Sequence, residues 1–157
     1  MGDQRHYFDA NALFKYYQDQ KGSLNIRRLV SRSPKPVMVS SLTLLECFGV
    51  VVKYQRKRLL KQKDVNKVFK RIRRDAGKNT KIRPFEIIPM PDGVFRLAQS
   101  ILLQHARIFQ IGSNDALHLA IVKKSEPKAS STVMVTSDNS MKNVCDRIQT
   151  PVYDPEL

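Results

Sequence analysis

The chain has 157 residues, 41% of them apolar, and a net charge of +14. That length suits one compact domain over residues 1–157, with a core of its own. No apolar run approaches the ~20 residues of a membrane helix, and the first six residues hold no apolar leader, so a membrane span and a secretory signal are not expected. Cys47 and Cys145 lie far apart and in no CxxC spacing, which argues against zinc or a disulfide and for a reducing, cytoplasmic setting. Cys47 sits in an apolar run and reads as a buried thiol.

In chain order, Tyr7-Phe8 reads as the end of a short strand. Asn11 can cap the helix that follows, whose apolar face is Leu13, Phe14 and Tyr17. Asp9 therefore stands at the carboxyl end of a strand just before a helix, the edge where open α/β sheets bind ligands. It is either a metal- or phosphate-handling carboxylate or a helix cap. Leu24, Arg28 and Leu29 suggest a further short helix, which Ser33-Pro34-Lys35-Pro36 breaks. Val37-Met38-Val39 is a buried-strand run. Ser40 or Ser41 then caps a helix with Leu42, Leu45 and Val52 along its apolar face and Glu46 in its first turns.

That helix continues towards Leu60, and a second follows with Val65, Val68, Phe69 and Ile72 at i, i+3, i+4 and i+7. From Lys53 to Arg83 there are fourteen Lys or Arg and only two acids, Asp64 and Asp75, so this segment carries +12 of the net charge. The pattern predicts a basic helical hairpin over residues 53–83. A charge run is ordinarily a solvated face. Here the acids that would pair with it are nearly absent, which favours a surface for a polyanion.

Phe85-Glu86-Ile87-Ile88 is the next strand. Asp92 reads as the cap of a helix with Val94, Leu97, Ile101 and Leu102, running to about Phe109 and ending before Gly112. Ser113 or Asn114 caps a helix that is apolar nearly all round, with Asp115 in its first turn and His118 read as core. Glu126 to Ser131 is a polar loop. Val133-Met134-Val135 is a buried strand running into Thr136-Ser137-Asp138. Met141, Val144, Cys145 and Ile148 mark a last helix, and Val152-Tyr153 an edge strand. Short apolar strands alternating with helices predict a mainly parallel sheet covered on both faces.

Four carboxylates share one description: Asp9 and Asp138 end strands, while Glu46 and Asp115 open buried helices. If they converge at one sheet edge they repel, and burial raises their pKa values. A divalent cation with all-oxygen ligation, Mg²⁺ or Mn²⁺, would relieve this. Each also has a plainer role: Asp115 as a cap, Glu46 in a capping box with Thr43, Asp138 in a turn.

Four segments, Tyr7-Phe8-Asp9-Ala10-Asn11-Ala12-Leu13, Ser41-Leu42-Thr43-Leu44-Leu45-Glu46, Asn114-Asp115-Ala116-Leu117-His118-Leu119-Ala120 and Val135-Thr136-Ser137-Asp138, resemble the four acidic motifs of PIN-domain nucleases. Their order and spacing are most similar to VapC-type toxins. The resemblance implies a three-layer α/β/α fold with a five-stranded parallel sheet and metal-dependent hydrolysis of RNA. It implies Asp9 and Asp115 as main Mg²⁺ ligands, Glu46 and Asp138 completing the site, and Asn11 and Thr136 in support. It also implies a homodimer held inactive by a cognate antitoxin. The departure is the long basic hairpin, whose Lys53, Arg56, Lys57, Arg58, Arg71, Arg73 and Arg74 are expected to contact RNA. The alternative on the same fold is a non-catalytic RNA-binding module. A haloacid-dehalogenase-like phosphatase needs a second Asp where Asn11 stands. A response-regulator receiver needs an acidic pair and a late-strand Lys that the chain lacks.

Overall fold

The computed structural model describes residues 4–126 and 131–157. Most of the predicted polar loop, residues 127–130, lies outside that range. The described strands are β1 Arg5–Phe8, β2 Val37–Val39, β3 Ala76–Gly77, β4 Phe85–Ile87, β5 Thr132–Val135 and β6 Val152–Tyr153. The helices are α1 Ala10–Tyr17, α2 Ser23–Arg32, α3 Ser41–Arg56, α4 Gln62–Asp75, α5 Val94–His105, α6 Ser113–Lys124 and α7 Asn139–Arg147.

The strands form one sheet in the order β3-β4-β2-β1-β5-β6, with every pairing parallel. This corrects the expected five strands to six. The extra one, β3, is a two-residue continuation of α4 that pairs Ala76 with Phe85. Two residues are too short to show any period, so nothing in the sequence marks them.

β1 lies between β2 and β5. Tyr7 stands beside Met38 on one side and Met134 on the other, and Phe8 beside Val135. Alternation along the strands then separates two cores. Tyr7, Met38 and Met134 point to the layer of α5, α6 and α7, among Val94, Ile101, Leu119 and Val144. Phe8, Val37, Val39, Phe85 and Val135 point to the layer of α1 to α4, among Phe14, Ile26, Val51 and Ile72. Burial on both faces is why β2 and most of β5 are continuous apolar runs rather than alternating ones. No described helix is long and apolar enough to cross a membrane.

Several local expectations change. Asp9, not Asn11, caps α1. Gly93, not Asp92, precedes α5, in a left-handed conformation (φ 71°) that favours glycine. That helix ends at His105 because residues 106–109 turn. On α3 the buried side chains are Thr43, Cys47 and Val51, while Leu45 is 70% exposed and Val52 also faces outward. Leu44, Phe48, Val50 and Tyr54 pack beside those three, and Leu42 packs on the opposite core, so of the expected stripe only Leu45 and Val52 turn to solvent.

Phe85 is fully buried, and its ring meets those of Phe8, Tyr16 and Tyr17 at 5.8, 5.1 and 6.4 Å between centroids. Phe85→Ala should cost about 3–5 kcal/mol in urea unfolding. A loss under about 1 kcal/mol would contradict this packing.

Candidate active site

The strand order changes direction at β1: the chain moves to β2 on one side and returns later to β5 on the other. Such a switch point opens a crevice at the carboxyl ends of the strands. Asp9 follows β1 there, and Asp138 lies three residues past β5.

Asp9 is buried, and one of its oxygens (Oδ1) accepts the Ala12 N–H at 2.8 Å, which caps α1. Burial pushes its carboxyl above the ordinary range. The Ala12 N–H, the Thr136 hydroxyl and the charges of His118 and Lys15 offset this only in part. The register explains Thr136: since Phe8 pairs with Val135, the next residues along, Asp9 and Thr136, come side by side. Thr136 Oγ1 also accepts the Asp138 N–H at 3.2 Å, so one hydroxyl serves both strand ends. Asp138 in turn accepts the Met141 N–H at 2.9 Å and caps α7.

Asp115 closes a capping interaction by accepting the Gly112 N–H at 3.0 Å. Burial raises its pKa, and the negative charges of Asp138 and Glu46 raise it further. Three of the predicted carboxylates therefore share one electrostatic field. In each Asp one carboxyl oxygen caps a helix, and the Thr136 side chain also bonds the Asp9 carboxyl.

Glu46 is held differently. His118 Nε2 lies 2.5 Å from its Oε1, and Asn114 Nδ2 donates to Oε2 at 3.2 Å. Burial alone would raise Glu46, but His118 and Asn114 outweigh it and hold the carboxyl low. On its other side, His118 Nδ1 lies 2.7 Å from the Tyr7 hydroxyl, which is 2.8 Å from Ser40 Oγ. Thr43 joins the cluster, donating to the Phe8 carbonyl at 3.0 Å. An ionised carboxylate only accepts, so Nε2 carries a proton. With Nδ1 as acceptor, Ser40 donates to Tyr7, Tyr7 to His118 and His118 to Glu46. By sequence, His118 reads as core and Tyr7 as buried strand. They are buried, at 2% and 0% exposure, but a buried imidazole needs partners at both nitrogens. One signal is present in the sequence: His118 is three residues after Asp115, so the two share a helix face.

The basic residues divide. Lys53 and Lys57 line a groove of about 300 Å³ with Asn11 and Phe14, next to the first turn of α1. Asn11 is exposed and belongs to this groove. Arg56 and Arg58 are exposed at the α3–α4 turn, with Arg58 in a left-handed conformation (φ 60°). Arg71 stacks over the Tyr17 ring at 5.1 Å, Arg74 pairs with Asp75 at 2.8 Å, and Arg73 is exposed.

A profile of the PIN domain covers residues 6–147. The chain belongs to the PIN domain family. Compared with curated protein sequences, it matches none. Among solved structures, FitAcB from Neisseria gonorrhoeae aligns over 96% of this PIN domain chain and 97% of its own, with TM-score 0.65 and 20% identity. VapBC2 from Rickettsia felis, bound to a DNA fragment from its promoter, aligns over 96% and 98%, with TM-score 0.62 and 17% identity. VapC20 of Mycobacterium tuberculosis, a Sarcin-Ricin loop cleaving toxin, aligns over 88% and 93%, with TM-score 0.61 and 15% identity. At these identities the likeness is one of fold.

The donor set of this PIN domain suits a hard divalent cation: the side chains are all-oxygen, and two of the Asp carboxyls are raised by burial. Among the described residues, no three His, Cys, Asp or Glu side chains converge to ligating distance.

Two outcomes follow from this geometry. Asn is as good an N-cap as Asp, so Asp9→Asn keeps the cap and removes a carboxyl whose folded pKa is raised. The stability tied to such a group is present below the unfolded pKa of ~3.9 and lost as pH rises through the folded value. Without metal, Asp9→Asn should therefore melt higher than the parent at neutral pH, and the gap should close in acid. An Asp9→Asn protein less stable than the parent at neutral pH would contradict the buried, raised carboxyl. Separately, His118→Leu should cost about 1–3 kcal/mol by stranding Tyr7 and Glu46. Its effect should be non-additive with Tyr7→Phe by at least ~0.5 kcal/mol in a double-mutant cycle. Additivity would break the proposed chain of hydrogen bonds.

Proposed function

We propose that this PIN domain is a divalent-metal-dependent endoribonuclease and the toxin of a toxin–antitoxin pair. What supports the reading is Asp115, whose carboxyl is raised by burial and by the negative charges of Asp138 and Glu46, together with Asp9, raised by burial where β1 ends at the switch point. Asp9 and Asp115 would hold Mg²⁺ or Mn²⁺, with Glu46 and Asp138 completing the site directly or through water. When bound, the cation lowers the pKa of a water and offsets charge on a phosphoryl group.

The chain's own residues do the rest. Thr136 orients Asp9 and steadies the turn into Asp138. The Tyr7–His118 pair and Asn114 fix Glu46 and keep it ionised, so it accepts a proton or a hydrogen bond from a water in the crevice. Lys53 and Lys57, beside Asn11, guide the phosphate backbone towards Asp9, while Arg56, Arg58, Arg71, Arg73 and Arg74 extend the cationic surface. VapC20, which cleaves the Sarcin-Ricin loop, and the Klebsiella pneumoniae toxin-antitoxin complex share the fold and support an RNA substrate and an antitoxin partner. Exposed Phe95, Leu103 and Ile108 offer apolar surface for a second copy in a homodimer. The free, buried Cys47 and Cys145 suit the cytoplasm.

The test is cleavage of a mixed RNA pool by folded, inhibitor-free protein with Mg²⁺ or with EDTA, beside Asp9→Asn. Cleavage should require the cation and fall on the order of 100-fold or more in the variant. Protein that binds RNA through the basic segment but cuts nothing under any condition would sink the nuclease and leave the non-catalytic RNA-binding module.

A further inference from the structure

The basic segment of residues 53–83 holds two separate cationic surfaces. The first is the Lys53–Lys57 groove beside Asn11, next to the carboxylates. The second lies on the outer face of α4. Its inner face, Val65, Val68 and Ile72, is buried against the core. Lys63, Lys67, Lys70, Arg71 and Arg74, spaced i, i+4, i+7, i+8 and i+11, form a stripe on the outer face. With Asn66 they line a groove of about 650 Å³ that has neither an acidic nor an apolar side chain in its walls. Among the described residues, no carboxylate pairs with Lys63, Lys67 or Lys70, and the pair at Arg74 uses Asp75, which is buried. A neighbouring cavity of about 440 Å³ shares Arg71 and adds Arg27 and Arg83. The two surfaces share no lining residue.

The stripe also leads away from the reaction edge. Arg71 stacks on Tyr17, and the Tyr17 hydroxyl donates to Asp75 at 3.0 Å. Tyr17 ends α1, and Asp9 precedes its start, so about 12 Å of helix separates this end of the stripe from the carboxylate. Cations of one sign repel each other across a shared groove. Five of them, unpaired save for Arg74, are matched by a ligand with regularly spaced negative charges.

We propose that the outer face of α4 is an exosite for the phosphate backbone of the same RNA, engaging a part of the molecule distant from the scissile bond. This rests on the nuclease reading and deepens it. A short single strand occupying the crevice does not reach the stripe, whereas a folded RNA lies across both surfaces. The exosite therefore makes affinity depend on the size of the RNA while leaving the chemical step alone.

The experiment uses the full chain carrying Lys63→Glu, Lys67→Glu and Lys70→Glu, exposed positions outside the carboxylate site. Circular dichroism checks the fold, and the triple alanine variant serves as a second, milder change. Binding is measured in an Asp9→Asn background with a four-nucleotide single strand and with a hairpin of about 30 nucleotides, over a salt series. The hairpin should lose at least about tenfold in affinity, and its log–log salt slope should fall by about two to three, near 0.9 for each phosphate no longer neutralised. Binding of the tetranucleotide, and its cleavage by protein retaining Asp9, should stay within about twofold, because none of its phosphates touches the stripe. Equal losses on both RNAs would overturn the exosite by making the stripe part of the crevice. An unchanged hairpin affinity would overturn it in favour of an acidic protein partner. Failure of unmodified protein to cut either RNA counts against the nuclease alone, since the binding arms still decide the stripe.

Discussion

Everything at the crevice depends on how β1 is held between β2 and β5. Phe8 beside Val135 and Tyr7 beside Met38 and Met134 fix the register of three parallel strands at once. Slipping by one residue would turn Tyr7 and Phe8 to the wrong cores. The same register brings Asp9 against Thr136 and aims the Tyr7 hydroxyl at His118 and Ser40. Apolar packing thus sets the positions of polar atoms that have no packing role.

Two kinds of carboxylate result. Asp9 and Asp115 are raised, because burial and like charge oppose ionisation and their partners do not fully compensate. Glu46 is lowered, because His118 and Asn114 supply more than burial takes away. The first kind is costly until something positive arrives. The second already has its hydrogen-bond partners.

Much of the fold is legible from the sequence, for a simple reason. Strands buried on both faces must be apolar runs, so Val37–Val39 and Val133–Val135 stand out, and the carboxylates at their ends stand out with them. What stays hidden comes from geometry that leaves no local mark. β3 is two residues long. α3 turns Thr43 and Cys47 inward and Leu45 outward, because its apolar residues spread over more than one face and only the packing partner chooses among them. Asp9 and Asn11 are both good caps, and only the backbone path chooses between them. His118 and Tyr7 look apolar by context. Their polar atoms matter because each finds a partner more than thirty residues away, and a reading by periodicity pairs only neighbours.

The cluster of Ser40, Tyr7, His118 and Glu46 crosses the sheet. Tyr7 belongs to a central strand, Ser40 and Glu46 to the start of α3 on one layer, and His118 to α6 on the other. Neither layer can swing open at this point without breaking buried hydrogen bonds in the other. The amino-terminal turns of α3 and α6 are therefore bound into one cooperative unit with β1. Helix ends are ordinarily the first part of a protein to loosen, but here loosening either helix start breaks buried hydrogen bonds held by the other.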